Sequence, residues 1–435
     1  MMRVREGLEM LFRTMWKPNS GNDVRFSSLM RRYISASGRS VLDMAAKDGE
    51  LRVFIVSGEV SGDSIGSRLM VSLKKLCPLP IRFSGVGGSM MSRQGLISLF
   101  PMEDIAVMGI WELLPHLNKF RLRLKETMEA AFLFQPHVVV TVDSKGFSFR
   151  LLKQLRANYS QQGLDGPVHF HYVAPSFWAW KGGEARLKGL AEFVDQGKDT
   201  SPYEWKVERN FEDFRSKNGI PAEATVISLL PGSRLQEVTQ MLSIFSNTME
   251  LLKDFFPELM SVIHVAPNQH VENYITGIVH KWPVPAILIP GGLPHLKYDA
   301  FSASRVALCT SGTVALEMQL ARLPCVVAYR AHLLTEWFIR YKAKISYISL
   351  PNILLDSAII PEALFQACTP SKLASLLMES IHNESLREEQ IVAAEKVIRL
   401  LYPTERHIKS FLQPDFTDFT PSIIAASTIL YYVKH

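Results

Sequence analysis

The sequence predicts an α/β protein with two successive domains, each built on a parallel sheet. Its 435 residues are 47% apolar and 21% charged, a globular composition in which a single core would be unusually large. Short β-rich apolar runs end in glycine-bearing loops and are followed by helical periodicity, which is typical of alternating strands and helices. A polar stretch after Asp195 separates these runs into two sets.

Nine apolar runs are the predicted strands. In the first half they are Arg52–Ser57, Ile81–Gly85, Val138–Val142 and Val168–Val173. In the second half they are Thr225–Leu230, Met260–Val265, Ala286–Ile289, Val306–Cys309 and Cys325–Tyr329. Helical segments are predicted near Ser64–Leu76 and Lys119–Phe134. We therefore expect two Rossmann-like domains that face each other across a cleft, with substrates at the carboxyl ends of the strands.

These patterns divide the chain into five segments. The predicted segments are a targeting peptide over 1–48, a first domain over 49–195, an atypical linker over 196–224, a second domain over 225–400 and a tail over 401–435. The tail contains Pro403, Pro414 and Pro421 before an apolar end, so we expect a broken helical segment that packs back on the body.

The N-terminal segment has the composition of an organellar targeting peptide. Between residues 10 and 42 the cations are Arg13, Lys17, Arg25, Arg31, Arg32 and Arg39, and Asp23 is the one acidic residue. Serines lie between them, which favours a disordered mitochondrial transit peptide; a chloroplast address or a basic arm are the alternatives. Since much of the formal charge of +6 lies here, the charge does not indicate nucleic-acid binding.

Cysteine spacing and hydropathy narrow the class of protein further. Cys77, Cys309, Cys325 and Cys368 are far apart and form no C-x-x-C pair, so the sequence predicts neither a zinc site nor a disulfide framework. The most apolar stretch, Ile423–Val433, is shorter than the roughly 18 residues of a membrane span. We expect a soluble or peripheral protein.

In the first domain, the loop from Ser57 to Asp63 opens the helix after the first strand. Small residues there let a ligand approach the backbone and the helix N-terminus, and its candidate substrate-binding residues are Glu59, Ser61, Gly62 and Asp63. The loop lacks the G-x-G-x-x-G spacing, which argues against a nicotinamide cofactor. A tight turn without a ligand is the alternative.

Asp143 comes directly after the apolar run Val138–Val142 and is the candidate general base. A carboxylate at the end of such a strand points into the crevice, where it can remove a proton from a sugar hydroxyl. The alternative is an aspartate that caps the following turn.

Further along, Trp178 and Trp180 precede Lys181 and Arg186. This set is suited to a sugar or acyl chain beside a phosphate, and ordinary aromatic core is the alternative.

In the second domain, two loops are candidates for a nucleotide diphosphate. Gly232, Ser233 and Arg234 come after the first strand, and the guanidinium can stabilise a leaving nucleotide. Backbone N–H groups of the second loop can take phosphate oxygens, and a glutamate further along its helix can accept both ribose hydroxyls. The residues concerned are Ser311, Gly312, Thr313 and Glu317. A plain helix cap with a favourable early glutamate is the alternative.

Taken together, motifs over about 51–400 resemble those of lipid-A-disaccharide synthases, in order. They are Ser57-Gly58-Glu59-x-Ser61-Gly62-Asp63, Gly85-Val86-Gly87-Gly88, Ala106-Val107-Met108-Gly109, Tyr172-Val173-Ala174-Pro175-Ser176-x-Trp178-Ala179-Trp180, Leu230-Pro231-Gly232-Ser233-Arg234, Ser311-Gly312-Thr313-x-Ala315-Leu316-Glu317 and Ser349-Leu350-Pro351-Asn352. The resemblance implies a GT-B glycosyltransferase without a cofactor or metal. Asp143, Arg234 and Asn352 match family positions implicated in activity, and Met108 and Trp178 are further candidates for substrate contact.

The implied reaction transfers 2,3-diacylglucosamine from UDP to the 6-hydroxyl of 2,3-diacylglucosamine 1-phosphate, with inversion. Its products are a β-1,6-linked disaccharide 1-phosphate and UDP.

One stretch departs from the family: after Asp195 an apolar strand, an acidic loop and a Gly-His-Pro turn are missing, which predicts the loss of one element of the first sheet. The alternatives are therefore a non-catalytic splice form, or a UDP-N-acetylglucosamine 2-epimerase or related transferase.

A membrane contact is predicted in the first domain. Ile105–Pro115 is unusually apolar and is followed by Lys119, Arg121, Arg123 and Lys125, and apolar residues beside cations suit a bilayer surface. Diacylated substrates have most of their mass in the bilayer, so an enzyme that acts on them must either extract the lipid or dip into the interface. A buried helix whose basic residues are solvated is the alternative, and the sequence indicates no oligomeric state.

Overall fold

The fold is taken from a computed structural model that describes residues 39–106, 117–173, 196–198, 211–331, 336, 337, 341, 346–401 and 420–434. The chain divides into two compact units. The first unit consists of Met1–Pro202 with Pro403–His435, and the second is Tyr203–Tyr402.

The described elements alternate along most of the chain. The strands are β1 (Arg39–Ser40), β2 (Leu51–Ser57), β3 (Ile81–Val86), β4 (Ile97–Ser98), β5 (Val138–Val142), β6 (Val168–Tyr172), β7 (Gln196–Lys198), β8 (Thr225–Leu230), β9 (Leu259–His264), β10 (Ala286–Ile289), β11 (Val306–Thr310), β12 (Cys325–Tyr329), β13 (Glu362–Leu364) and β14 (Val433–Lys434). The helices are α1 (Val41–Asp48), α2 (Val60–Leu76), α3 (Ser89–Arg93), α4 (Leu117–Phe134), α5 (Lys145–Gln161), α6 (Phe211–Lys217), α7 (Leu235–Leu252), α8 (Gln269–Ile278), α9 (Pro294–Ala303), α10 (Thr313–Ala321), α11 (Leu350–Leu355), α12 (Pro370–His382), α13 (Glu384–Leu401) and α14 (Pro421–Leu430). Short 3-10 turns cover Met102–Ile105, Val279–Lys281 and Phe365–Ala367.

Both units contain a six-stranded parallel sheet with the same strand order. The first sheet runs β4-β3-β2-β5-β6-β7 and the second runs β10-β9-β8-β11-β12-β13. Counted along the chain within each sheet, the first and fourth strands lie side by side: β2 beside β5, and β8 beside β11. The second and third strands lie on one side of this pair, and the fifth and sixth lie on the other. This is the Rossmann order, in which a crevice forms where the order reverses. The predicted α/β class with two such sheets is confirmed.

Alternating side chains of the strands explain why both faces of each sheet are covered. In β2, Val53 and Ile55 belong to the core cluster under α2, whereas Phe54 and Val56 belong to the cluster under α4 and α5. Successive strand residues point to opposite faces, so a continuously apolar strand needs a helix layer on each side. The nine predicted strands are all present, with bounds shifted by at most one residue.

Residues 39–48, which the prediction places at the end of a disordered targeting peptide, are folded. Ser40 and Asp43 form a reciprocal capping box at the start of α1, and Val41 and Ala45 are buried in the core of the first unit. A capped helix with two buried positions is consistent with the Ser-x-x-Asp spacing, which is a helix start signal.

The C-terminal segment closes the first unit. Every residue of α14 is buried, and Ser422 Oγ accepts a hydrogen bond of 2.9 Å from Ser72 Oγ on α2. Beyond it, β14 pairs antiparallel with β1, and the amide of Val41 donates to the carbonyl of Tyr432 at 3.1 Å. The two ends of the described chain thus lie side by side, and α14 packs against α2.

The region predicted as an atypical linker is also folded in two places. β7 pairs in parallel with β6, so the first sheet keeps a sixth strand despite the predicted loss of an element. On the far side, Phe214 of α6 is buried with Ile220 and Ala224 in a core cluster of the second unit. The buried Phe214 anchors a seven-residue helix in which four residues are charged, and periodicity alone does not reveal so short a helix. Across the described residues, no helix is long and apolar enough to cross a membrane.

Candidate functional site

At the carboxyl edge of the first sheet, the loops after β2 and β5 approach each other closely. A Cβ on Gly58 would lie 2.6 Å from Ser144 Oγ, and a Cβ on Gly62 would lie 3.2 Å from the carbonyl oxygen of Val142, the last residue of β5. A larger side chain at Gly58 would therefore force Ser144 or its loop to shift. The predicted loop therefore lies where the strand order reverses, beside the residue that comes directly after β5.

That residue is Asp143, which has an unusual backbone conformation. Asp143 and Ser144 have φ angles of 54° and 46°, in the left-handed region that is uncommon for residues other than glycine. The turn is held because the Asp143 amide donates to the Tyr172 carbonyl at 3.1 Å and Ser148 Oγ donates to the Asp143 carbonyl at 2.8 Å. Within the described part of the chain, its half-buried carboxylate has no hydrogen-bond or ion-pair partner. Such a carboxylate is available as a base.

Asp63, a predicted substrate-binding residue, is bonded to backbone groups of a neighbouring loop. Its side chain is 1% exposed and accepts hydrogen bonds from the amides of Gly88, Met90 and Met91 at 2.9–3.0 Å. Burial raises the pKa of this carboxyl, against the three amides that lower it. Asp63 therefore holds the loop after β3 to the first turn of α2. Glu59 and Ser61 are half-buried at that helix start, and Gly62 is buried.

Met108 and Trp178 lie outside the described residues, as does most of the apolar segment 105–115. Just before the tryptophan-containing segment, Val173 has a φ of 79°. A β-branched residue in this conformation is strained, and such strain is concentrated at functional sites and turns.

In the second sheet, Gly232, Ser233 and Arg234 lie between β8 and α7. Gly232 has a φ of 119°, which suits glycine, and a Cβ there would lie 2.3 Å from the carboxylate of Glu237. Arg234 is the N-cap of α7 and makes no side-chain capping bond. Instead the Ser233 amide donates to Glu237 Oε2 at 3.2 Å. The loop is thus shaped by a glutamate that no sequence motif singled out.

The second loop, Ser311–Thr313, lies between β11 and α10. Gly312 has a φ of 125°, and a Cβ there would meet nothing within 4 Å, so the loop borders open space. No side chain caps α10. The same holds for α2, α5 and α7, the other helices that begin where the strand orders reverse. It holds for α3, α9, α11 and α14 as well, so the missing cap permits an anion at these helix starts but does not single them out. Helix starts without side-chain caps can offer their N–H groups to an anion.

Glu317 of α10 forms an ion pair with Lys297 of α9, and both side chains are largely buried. The ammonium also lies 5.8 Å from the ring of Phe301. One carboxylate oxygen of Glu317 therefore faces a cation in this structure. Lys297 was missed because its partner lies 20 residues away, and no local pattern joins them.

Asn352 is fully buried, and its side chain contacts only protein. Its amide nitrogen donates to the Ile360 carbonyl at 2.8 Å and to Glu362 Oε1 at 2.9 Å, and its oxygen accepts from the Ile360 amide at 2.9 Å. Glu362 in turn accepts from the amides of Ile348 and Ser349. In this geometry Asn352 positions the start of α11, and its part in the activity stays a prediction.

Two buried histidines lie at strand ends, one in each unit. His171 Nδ1 lies 2.8 Å from Thr141 Oγ1, and burial lowers the pKa of His171 to about 3. His264 Nε2 lies 3.0 Å from Ser228 Oγ, and burial lowers its pKa well below the ordinary value. Both rings are therefore neutral near pH 7. Among the residues that the structure places, no group of three His, Cys, Asp or Glu side chains could hold a metal ion.

The fold defines an α/β protein with two parallel Rossmann-type sheets, with a candidate site at the reversal point of each sheet. A model of the family described as "Lipid-A-disaccharide synthetase" matches residues 53–206 and 203–415. The chain is 61% identical to the probable mitochondrial lipid-A-disaccharide synthase of Arabidopsis thaliana, over 94% of this chain and 97% of the relative. It is 41% identical to the lipid-A-disaccharide synthase of Rhodospirillum centenum, over 81% of this chain and 90% of the relative.

The chain therefore belongs to the lipid-A-disaccharide synthase family, which is a family of glycosyltransferases. Its alignment with the Arabidopsis relative extends over 445 positions, more than the 435 residues of this chain, so the relative has residues that this chain lacks. Among solved structures, the UDP-GlcNAc 2-epimerase of Neisseria meningitidis bound to UDP-GlcNAc is 12% identical, with a TM-score of 0.49 over 81% of this chain and 99% of that chain.

Proposed function

We propose that the chain transfers 2,3-diacylglucosamine from UDP to the 6-hydroxyl of 2,3-diacylglucosamine 1-phosphate, with inversion at the anomeric carbon. The observation that carries the proposal is Asp143, a carboxylate without a protein partner among the described residues, at the reversal point of the first sheet. Family membership supplies the substrate class, because the relatives at 61% and 41% identity are both named for this synthesis. These names favour the synthase over the epimerase alternative.

Each residue has a definite task in this reaction. The acceptor oxygen forms a bond to the anomeric carbon while its proton passes to Asp143, and the bond from that carbon to the UDP oxygen breaks. Charge that develops on the departing diphosphate is stabilised by Arg234 and by the N–H groups at the starts of α7 and α10. Glu317 accepts hydrogen bonds from the ribose hydroxyls, which requires its carboxylate to turn partly away from Lys297.

The proposal is tested by incubating purified chain with UDP-2,3-diacylglucosamine and 2,3-diacylglucosamine 1-phosphate. Formation of the disaccharide 1-phosphate together with UDP supports it. UDP binding without product would indicate the second hypothesis, a non-catalytic form, which is motivated by the residues that this chain lacks relative to the Arabidopsis relative.

We also propose a mitochondrial location and a peripheral membrane contact. The location is supported by the basic, serine-rich N-terminal composition and by the name of the Arabidopsis relative. The contact is assigned to 105–115, where replacing Met108, Ile110, Trp111 and Leu114 with serine is expected to reduce binding to anionic liposomes without unfolding the protein. Unchanged liposome binding would move the contact elsewhere, and so would loss of folding.

A further inference from the structure

Glu237 lies in the first turn of α7 and bonds back to the loop that precedes the helix. Its Oε2 accepts from the Ser233 amide at 3.2 Å, and its carboxylate also accepts from the amide of Arg234. A glutamate at the third helical position often reaches back in this way, usually opposite a serine or threonine cap. Here the cap is Arg234, so the side chain of this candidate cation takes no part in capping.

The same carboxylate contacts the neighbouring strand. Glu237 accepts a hydrogen bond from the side chain of Thr310, the last residue of β11, which is 3% exposed. β8 and β11 are adjacent, with Leu230 opposite Cys309. The residue after Thr310 begins the loop Ser311–Thr313. Glu237 thus connects both loops that are candidates for the diphosphate.

Space at this position is filled by the glutamate. A Cβ on Gly232 would lie 2.3–2.6 Å from three atoms of its side chain, so the loop passes directly over the carboxylate. With its oxygens engaged by two amides and a hydroxyl, and its charge of the same sign as a phosphate, Glu237 is unsuited to contact a diphosphate itself.

We propose that Glu237 is a positioning residue for the nucleotide site, which braces the loop after β8 against the end of β11 so that both loops hold one diphosphate. The inference rests on the proposed function and adds a residue to it. Because nucleotide binding then needs the two loops in one fixed arrangement, the brace affects the donor side and leaves the acceptor side unchanged.

The experiment measures UDP affinity by calorimetry and the KM for each substrate. Glu237→Ala removes the brace and is expected to weaken UDP binding by about tenfold or more, since charged hydrogen bonds to both loops are lost. Glu237→Gln keeps the shape, because its oxygen can accept from the amides while its NH2 group donates to Thr310 Oγ, so its affinity should stay within about threefold of the parent. The donor KM should change in parallel while the acceptor KM stays constant.

Thr310→Val removes the brace at its other end without altering α7. It is expected to weaken UDP binding by roughly threefold to tenfold, the effect of one hydrogen bond. Combined with Glu237→Ala it should add little, because both changes break the same connection. If Glu237→Ala folds poorly, Thr310→Val alone still tests the connection between the two loops.

Glu272→Ala is the matched control, since Glu272 is an exposed glutamate in the first turn of α8 and its loss removes the same charge from a helix start. Parental UDP affinity is expected for it. Parental affinity in Glu237→Ala or Thr310→Val would overturn the brace, as would a Gln variant as weak as the Ala variant or full additivity in the double variant. If the unmodified chain does not bind UDP, that result contradicts the proposed function itself, and with it the brace. If the unmodified chain binds UDP and the variants keep its affinity, only the brace is contradicted.

Discussion

The two sheets share one strand order but differ at the residue where the fourth strand of each sheet gives way to its loop. In the first unit β5 leads into Asp143, whose backbone is held in a left-handed conformation. In the second unit β11 ends in Thr310, whose hydroxyl is bonded to Glu237. The first edge offers a carboxylate and the second offers helix starts and an arginine.

Each unit has a buried carboxylate that stabilises a loop beside the first strand of its sheet, but on opposite sides of that strand. Asp63 of α2 binds the loop after β3, the second strand of its sheet. Glu237 of α7 binds its own loop and the end of β11, the fourth strand. The same topology therefore forms a reversal point twice, and the side chain that reaches across it decides which loops are fixed. Chemistry on this fold is set by the loops and not by the sheet.

The largest effect expected from this comparison is on catalysis through the first sheet. Asp143→Asn retains the shape of the side chain but cannot take the acceptor proton, so turnover should fall by about 10²-fold or more. UDP affinity should be unchanged, because that site is assigned to the other unit. Steady-state rates and calorimetry check both statements, with the exposed Asp165→Asn as control. Near-parental turnover would remove Asp143 from the mechanism.

A smaller effect is expected on nucleotide binding through the second sheet. Glu317→Ala removes two charge-assisted hydrogen bonds to ribose and should weaken UDP binding by about 1 to 3 kcal/mol. Calorimetry measures the change, and Glu379→Ala on α12 is an exposed control. The assignment of the nucleotide to the second unit would be contradicted by equal affinities of parent and variant.

The parts of this fold that could be read from sequence are those with a local signal. The long strands, such as β5, are continuous apolar runs because both faces of the sheet are covered, and the loops at their ends contain glycine. The short edge strands β4, β7 and β13 have two or three residues and no such signal, because pairing with a neighbour rather than composition creates them.

Side-chain roles were harder to predict than side-chain positions. Asp63 and Asn352 belong to motifs that the sequence singles out, but their hydrogen bonds to backbone groups of other segments could not be predicted, because those groups are brought in by the fold. Glu237 could have been found from sequence, because a glutamate three residues after the expected cap is a known helix-start signal. Its bond to Thr310, 73 positions further on, could not, since it depends on β8 and β11 being neighbours.

Acid sensitivity should be similar in the two units. His171 has a pKa near 3 in the folded protein and about 6.5 when unfolded, so the unfolded chain binds more protons between these values. Its contribution to stability is present above pH 6.5 and is lost as the pH falls toward 3, at up to about 1.4 kcal/mol per pH unit. His264 acts in the same direction.

Denaturant unfolding measured from about pH 3.5 to about pH 7 checks this expectation, because that range runs from just above the folded pKa of His171 to just above its unfolded pKa. His171→Asn places an amide near the Nδ1 position that faces Thr141, and His264→Gln places one near the Nε2 position that faces Ser228. Each variant should show a shallower loss of stability in acid than the parent. Slopes equal to the parental slope would mean that other groups govern the acid response.

The smallest expected effect concerns how the outer layers of the two units are completed. The first unit depends on both chain ends, because α1 begins at the Ser40 capping box, β1 pairs with β14, and the fully buried α14 packs against α2. The second unit has a comparable cap within a continuous chain, where Thr369 Oγ accepts from the Lys372 amide at 3.3 Å.

Ser40→Ala and Thr369→Ala should each lower the free energy of unfolding by about 1 kcal/mol, the usual value for a lost cap. Hydrogen exchange distinguishes the two variants. Ser40→Ala should speed exchange in α1 and at the Val41 amide bonded to Tyr432, and Thr369→Ala should do so in α12 alone.

Because the capping box makes residues 39–48 part of the folded unit, removal of residues 1–38 should leave exchange in α1 and α14 unchanged, whereas removal of residues 1–48 should accelerate it in α14. Slow exchange in α14 after the longer truncation would show that the first unit is complete without α1.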